Sequence, residues 1–295
     1  MKQVRTNRVM GFVWVLALLM FSAEVLAGEG KCGGERLCGE WQVKADFGGR
    51  QMESILVFWK DSEGKRAGEW ISFWGVSELK DVKYEEGQLS FLRERRNRQG
   101  QLRTSKFTGT VKDGKLSGTM SGERGEVKLE GERSKEMPSA VGSWAMKLKR
   151  GEREFTSALV VSADEEGKLA AEWQGRRGEH EVSDVQCEGE KLTFKRKSKI
   201  RDRERESTFE GTVKGDTLTG VVKTERGEIA AEGKRRGASL IGTWNLDVAT
   251  ERGNRKQRLK VNPDMSGMYG AVAIEKVNLE GDKVSFKAAV EFGER

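Results

Sequence analysis

Short runs that are apolar or alternate apolar with polar, each ended by a turn signal, fill the chain from residue 37 onward. Residues 54–59, 159–162 and 257–261 are of this kind, bounded by Asp-x-x-Gly, Gly-Asp or Gly-Glu. A period of two puts alternate side chains on one face of a sheet, so these runs predict strands. Turn signals recur about every 8–12 residues, the spacing of an antiparallel meander. No stretch after residue 27 sustains an apolar 3.6-residue period, so little helix is expected. Gly is plentiful at 37 residues and Pro scarce at two, which suits tight turns between strands that keep their N–H donors.

The pattern repeats. Gly39-Glu40-Trp41, Gly142-Ser143-Trp144 and Gly242-Thr243-Trp244 recur at spacings of 103 and 100 residues. Further matches follow in the same order. Trp70 answers to Trp173, and Asp81-Val82 to Asp184-Val185, with Lys276-Val277 in the third copy. Leu89-Ser90-Phe91 matches Leu192-Thr193-Phe194 and Val284-Ser285-Phe286. The second half of the unit occurs twice: Phe107 with Phe209, Leu116-Ser117-Gly118 with Leu218-Thr219-Gly220, and Arg133 with Arg235. Duplication follows from so many matches in one order. The expected organisation is a leader over 1–27, a linker over 28–36, repeats over 37–136 and 137–238, and a partial repeat over 239–295.

Eight strand candidates in the second copy start near Trp144, Leu159, Ala170, Val182, Leu192, Phe209, Leu218 and Ile229. Eight short antiparallel strands form a sandwich or a barrel, and closure removes exposed edges. The predicted fold class is therefore all-β, with tandem up-and-down eight-stranded β-barrels and a partial third unit. Five strands alone would leave that third unit with open edges. It is expected to pair with a partner or a second copy, to pack on copy two, or to be a truncated barrel.

Residues 1–27 alter the picture. Lys2, Arg5 and Arg8 precede an apolar run over 10–21, and Val25-Leu26-Ala27 offers a cleavage site. This is the anatomy of a secretory signal peptide, with an uncleaved anchor as the alternative. The run is short for a membrane span, which needs roughly 20 residues. A lipobox is absent, because Glu29-Gly30-Lys31 precedes Cys32. Export to the periplasm or outside the cell is expected, with no membrane span once the leader is removed. The leader carries three basic residues and one acid, so its removal takes the formal charge from +7 to +5. That value favours solubility more than it names a partner.

The three cysteines fit an exported chain. Cys32 and Cys38 flank a Gly-rich stretch and either pair into a small loop or stay apart. A metal clip there would need more ligands. Cys187 is expected to be a small buried hydrophobe.

The Gly-x-Trp motifs resemble the N-terminal motif of lipocalin-type (calycin) barrels. The unit is also similar to β repeats of about a hundred residues in exported bacterial proteins, some appended to hydrolase domains. The lipocalin resemblance implies that each Trp closes a barrel floor under an Arg from the last strand. The implied pairs are Trp41 with Arg133 and Trp144 with Arg235, while Trp244 in the third copy has no closing Arg. A guanidinium over an indole face is a sound cation–π arrangement. The resemblance further implies a carrier of a small apolar ligand, the second functional reading. An eight-stranded barrel holds one small ligand or is filled by its own side chains. Trp41, Trp70, Phe91 and Phe107 are expected to fill it.

Two basic stretches stand out. Residues 93–106 hold Arg93, Arg95, Arg96, Arg98, Arg103 and Lys106 against Glu94. Residues 195–205 hold Lys195, Arg196, Lys197, Lys199 and three arginines against Asp202 and Glu204. Both read as exposed hairpins, serving either as solvated protection against edge pairing or as binders of an anionic envelope polymer, lipid headgroups or an acidic partner. Stacking aromatics are missing from both stretches, which argues against single-stranded nucleic acid. His180 is the only histidine, glycine-rich nucleotide motifs are absent, and the Asp-x-x-Gly turns lack the alternating carboxylates of a calcium loop. No cofactor, metal or catalytic group is expected. The sequence reads as a non-enzymatic exported binding or structural module of the cell envelope.

Overall fold

The computed structural model describes residues 10–14, 36–46, 51–96, 99–123, 125–164, 166–175, 178–200, 203–250, 253–281 and 283–291. Residues 10–14 are β1 (Met10–Trp14); the rest of the expected leader lies outside the described residues. Then follow β2 (Gly39–Asp46), β3 (Gln51–Lys60), β4 (Arg66–Ser72), β5 (Gly75–Glu85), β6 (Gln88–Arg96), β7 (Leu102–Lys112), β8 (Lys115–Gly122) and β9 (Gly125–Arg133). Each pairs antiparallel with the next, and β9 returns to β2 with Arg133 opposite Trp41. The first barrel is closed.

The second copy comprises β10 (Gly142–Arg150), β11 (Arg153–Ala163), β12 (Leu169–Gln174), β13 (Glu179–Glu188), β14 (Lys191–Ile200), β15 (Arg203–Lys214), β16 (Thr217–Thr224) and β17 (Gly227–Arg235). Its sheet runs β12-β11-β10-β17-β16-β15-β14-β13 and is nearly closed, with no ladder between β12 and β13 among the described residues. The two copies differ in sequence at this connection. In the first copy a two-residue turn, Phe73-Trp74, joins β4 to β5 and keeps Ser72 paired with Gly75. In the second, the connection has the same length in sequence, with Arg176-Arg177 where the first copy has Phe73-Trp74; β12 ends at Gln174 and β13 begins at Glu179.

After a short 3-10 turn (Ala238–Leu240) come β18 (Gly242–Thr250), β19 (Gly253–Val261), β20 (Gly267–Tyr269), β21 (Val272–Glu280) and β22 (Lys283–Glu291). They form an open sheet in the order β1-β22-β21-β20-β19-β18. The chain divides into two compact units: Met1–Lys135 with Thr243–Lys260 and Gly267–Arg295, and Glu136–Gly242 with Val261–Ser266. Within the first, the third sheet lies on the first barrel's outer face, an arrangement the repeat pattern did not suggest. Ile55, Ile71 and Ala271 form a small core there, flanked by Val57, Val76 and Met268. Arg258 pairs with Glu69 at 2.6 Å and Lys260 with Glu40 at 3.0 Å.

Repeated motifs have repeated causes. Asp81 and Asp184 take positive φ at a bulge in β5 and β13, where the register to the next strand shifts. Asp tolerates the left-handed region better than most residues. Gly109 faces Gly118 across β7 and β8, and the Phe107 ring lies over both; a Cβ on Gly118 would come within 2.6 Å of that ring. Phe209 covers Gly211 likewise, in register with Gly220. Ring stacking then fills both interiors, with Phe91 on Phe107 and Phe194 on Phe209 at centroid distances of 4.8 Å. Trp41, Trp70, Phe91 and Phe107 are all core.

Candidate functional site

Each full copy carries two arginine–tryptophan stacks, one at each end. At the floor, the Arg133 guanidinium lies 5.1 Å from the Trp41 ring centre and Arg235 lies 4.0 Å from Trp144. Each indole N–H donates to a carbonyl four residues earlier, Leu37 at 2.8 Å and Ala140 at 2.9 Å. The glycine of Gly-x-Trp has two physical reasons. Gly39 and Gly142 have φ of +117° and +131°, and a Cβ there would come within 2.8 and 2.7 Å of the arginine's Nη1. Arg235 is the more deeply engaged: it donates to the carbonyls of Val141, Ser139 and Gly215 and pairs with Asp216 at 3.3 Å. Burial lowers its pKa, partly offset by Asp216. Gly242 keeps its positive φ, but nothing approaches it, and Trp244 is only half-buried.

The second stack involves two residues that the basic stretches had placed on exposed hairpins. Arg93 lies 4.1 Å from the Trp70 ring centre with its Nε toward Ser77 Oγ at 3.5 Å. Arg196 lies 4.6 Å from Trp173 and donates from Nε to Ser207 Oγ at 3.2 Å. Burial first, and then the charge of Arg95, pushes the Arg93 guanidinium down to about 10; burial lowers Arg196 as well. These two line barrel interiors near the mouth and are half-buried.

The remaining cations of the two stretches differ in their surroundings. On β14, Lys197 lies between Glu181 and Glu206, and Lys199 between Glu179 and Glu204, in the strand register. Lys197 pairs with Glu206 at 3.4 Å, and Lys195 with Asp184 at 2.8 Å, an ion pair that raises the lysine's pKa. The second stretch is therefore the middle rung of a charge-matched ladder. On β6, Arg95 faces Arg103, Glu94 faces Thr104 and Arg96 faces Leu102. Arg103 reaches Glu123 on the far side at 3.2 Å, and Arg96 donates to the Gly100 carbonyl at 2.9 Å. Like charges directly opposed across a sheet destabilise it; Glu123 offsets Arg103, and Arg95 is left as the cation of this pair with no ion pair among the described residues.

The first hairpin faces a cleft of about 1050 Å³ lined by Trp74, Arg95, Arg96, Arg103, Arg255 and Lys256. Glu94 is the one carboxylate among the described lining residues. Trp74 sits in the tight turn between β4 and β5 and is 59% exposed. It makes an edge contact with Phe73 at 5.2 Å, and the Arg255 guanidinium lies 5.7 Å from the Phe73 ring centre. The turn is held from outside. Gln257, 1% exposed, donates from Nε2 to the carbonyls of Ser72 and Phe73 at 3.1 and 2.9 Å. One strand of the third repeat, β19, thus both clamps the turn and adds two cations to the site.

Of the residues named from sequence, Arg93, Arg95 and Arg96 come together at this cleft, while Lys195, Arg196, Lys197 and Lys199 belong to the second copy. Arg98 and Cys32 lie outside the described residues. Cys38 is disulfide-bonded, and Cys187 is a free thiol of intermediate exposure, where a buried one had been expected. Trp74, Arg255 and Lys256 were not anticipated. An apolar Phe-Trp pair in a two-residue turn was the available signal for the first. The other two needed knowledge of where β19 docks. The Asp-x-x-Gly aspartates serve the hairpins themselves: Asp61 accepts the backbone N–H groups of Glu63 and Lys65 at 2.9 and 2.8 Å. No helix among the described residues is long and apolar enough to cross a membrane.

No family model matches the chain, and no curated protein matches it. Two solved structures are similar at 11% identity. One is a "putative outer membrane protein" of Bacteroides fragilis, with 67% of this chain and 96% of that chain covered and a TM-score of 0.26. The other is a protein with unknown function from the DUF3598 family of Nostoc punctiforme, with 87% and 97% covered and a TM-score of 0.16. At this identity and these scores, neither neighbour bears on what this chain does.

Proposed function

We propose that the protein is an exported, non-enzymatic binding module of the cell envelope that holds an anionic ligand at the mouth of its first barrel. One observation carries the reading: Arg95 stands opposite Arg103 beside a cleft with a single lining carboxylate, whereas the second copy matches its lysines with glutamates. Glu123 compensates Arg103, whereas Arg95 makes no ion pair among the described residues, so a polyanion reaching Arg95 would supply the missing counter-charge. The leader-like N-terminus and the disulfide at Cys38 support export, since disulfides persist in oxidising compartments. We read the Trp–Arg floors as lipocalin-like. A carrier of small apolar ligands fits less well, because stacked phenylalanines and tryptophans occupy both interiors.

Heparin-affinity chromatography tests the reading. Charge reversal by Arg95→Glu with Arg96→Glu is expected to bring elution to much lower salt, whereas Lys197→Glu with Lys199→Glu leaves it nearly unchanged. Equal effects of both pairs would count against a site at the first barrel. Turnover of any member of an ester, glycoside and peptide panel above a blank would overturn the non-enzymatic reading.

A further inference from the structure

The cleft has two chemistries side by side, and charge alone explains one of them. Arg95, Arg96, Arg103, Arg255 and Lys256 supply counter-charge from two walls, β6–β7 of the first barrel and β19 of the third repeat. A purely electrostatic site needs no aromatic. Yet Trp74 is held out at the rim by a turn whose two carbonyls are tied to a buried glutamine. Exposing a tryptophan sacrifices apolar burial, and clamping the turn that carries it fixes where the ring can go. Ser72, Ser77 and Gln99 add neutral polar groups to the lining, beside Val76 and Gly75.

We propose that the cleft binds an acidic polysaccharide chain, with one sugar ring stacked on Trp74 and its sulfate or carboxylate groups on the flanking arginines and Lys256. This rests on the anion-binding reading above and adds the ligand class. An indole face packs on the apolar C–H face of a sugar, guanidinium forks hold sulfate or carboxylate bidentately, and Ser72, Ser77 and Gln99 suit hydroxyls. Single-stranded nucleic acid fits less well, since successive bases call for a series of stacking aromatics and Trp74 is the one aromatic among the described lining residues. The third repeat gains a role. Its open sheet supplies β19 as the site's second wall. The second copy has Arg176-Arg177 where the first has Phe73-Trp74, so it has no counterpart of the stacking ring.

The test is isothermal titration calorimetry of the full exported protein with three probes: a sulfated heparin hexasaccharide, a six-nucleotide oligothymidylate and inorganic sulfate. The hexasaccharide is expected to bind, Trp74→Ala to weaken it about tenfold or more, the size of one stacking interaction, and Trp74→Phe to restore most of the loss. Lys256→Glu is expected to weaken it as well, from the third repeat. Trp74 is exposed, so the variant's fold is checked simply by an unchanged melting temperature. Hexasaccharide affinity within twofold for Trp74→Ala, with Arg95→Glu/Arg96→Glu abolishing it, would overturn the saccharide inference and leave the anion site standing. No effect of either would overturn both. Oligothymidylate bound more tightly, with the same Trp74 dependence, would reassign the ligand to nucleic acid and likewise overturn the inference.

Discussion

The two basic hairpins descend from one ancestral segment and have diverged in how their charge is balanced. In the second copy, β13 and β15 place Glu179, Glu181, Glu204 and Glu206 beside Lys197 and Lys199. The cations there are structural, each a modest surface interaction. In the first copy Arg95 and Arg103 oppose one another, and an exposed tryptophan and two cations from the third repeat share the cleft. The interior stacks, Arg93 on Trp70 and Arg196 on Trp173, are kept in both. The framework is therefore shared, and on the proposed function the exposed charges separate a binding copy from a structural one.

The floors offer the sharpest way to test how far the copies differ in stability. Arg235→Ala leaves the Val141, Ser139 and Gly215 carbonyls without this donor and uncovers Trp144, so a loss of about 2–4 kcal/mol is expected. Arg133→Ala, with the Arg36 carbonyl as its acceptor at 2.5 Å and a longer reach to its ring, is expected to cost about 1–2 kcal/mol. Urea unfolding curves of the two variants compare them directly, and an equal or reversed order would contradict the deeper engagement of Arg235.

Next in size comes the clamp. Gln257→Ala removes a buried donor from two carbonyls, with an expected cost of about 1–3 kcal/mol. Because Gln257 holds the turn that carries Trp74, the same variant is expected to lose polyanion affinity without any change of charge. Unchanged affinity in a folded Gln257→Ala protein would show that the third repeat does not position the site. The smallest expected effect is the most specific. Arg95→Thr relieves a like-charge opposition and is expected to raise stability by about 0.2–1 kcal/mol while weakening heparin retention. Lys197→Thr, which leaves Glu181 and Glu206 without their lysine, is expected to lower stability slightly and spare retention.

Much of the framework was legible because period two and turn chemistry are local. All eight strand starts expected in the second copy fall within β10 to β17. The floor arginines could be named because the motif recurs at fixed spacing. Charge balance was not legible, since it depends on register. Glu206, Glu179 and Glu181 lie outside the basic stretch as counted along the chain and beside it in the sheet. Arg93 and Arg196 looked exposed because they sit in charged runs, yet they share the inward phase of Phe91 and Phe194, two residues before each. Counting that phase onward would have placed them inside. The docking of β19 rests on interactions between segments nearly two hundred residues apart, such as Gln257 with Ser72, and no local pattern records it.

The division into a binding copy and a structural one is tested most directly by the salt dependence of heparin binding in the two charge-reversed proteins. For the first-barrel pair, Arg95→Glu with Arg96→Glu, the slope of log affinity against log salt is expected to fall by about two, one for each cation withdrawn from the polyanion. For the second-copy pair, Lys197→Glu with Lys199→Glu, the slope is expected to match the unaltered protein. The same slope change in both pairs would mean that the two hairpins contribute alike, and would contradict that division.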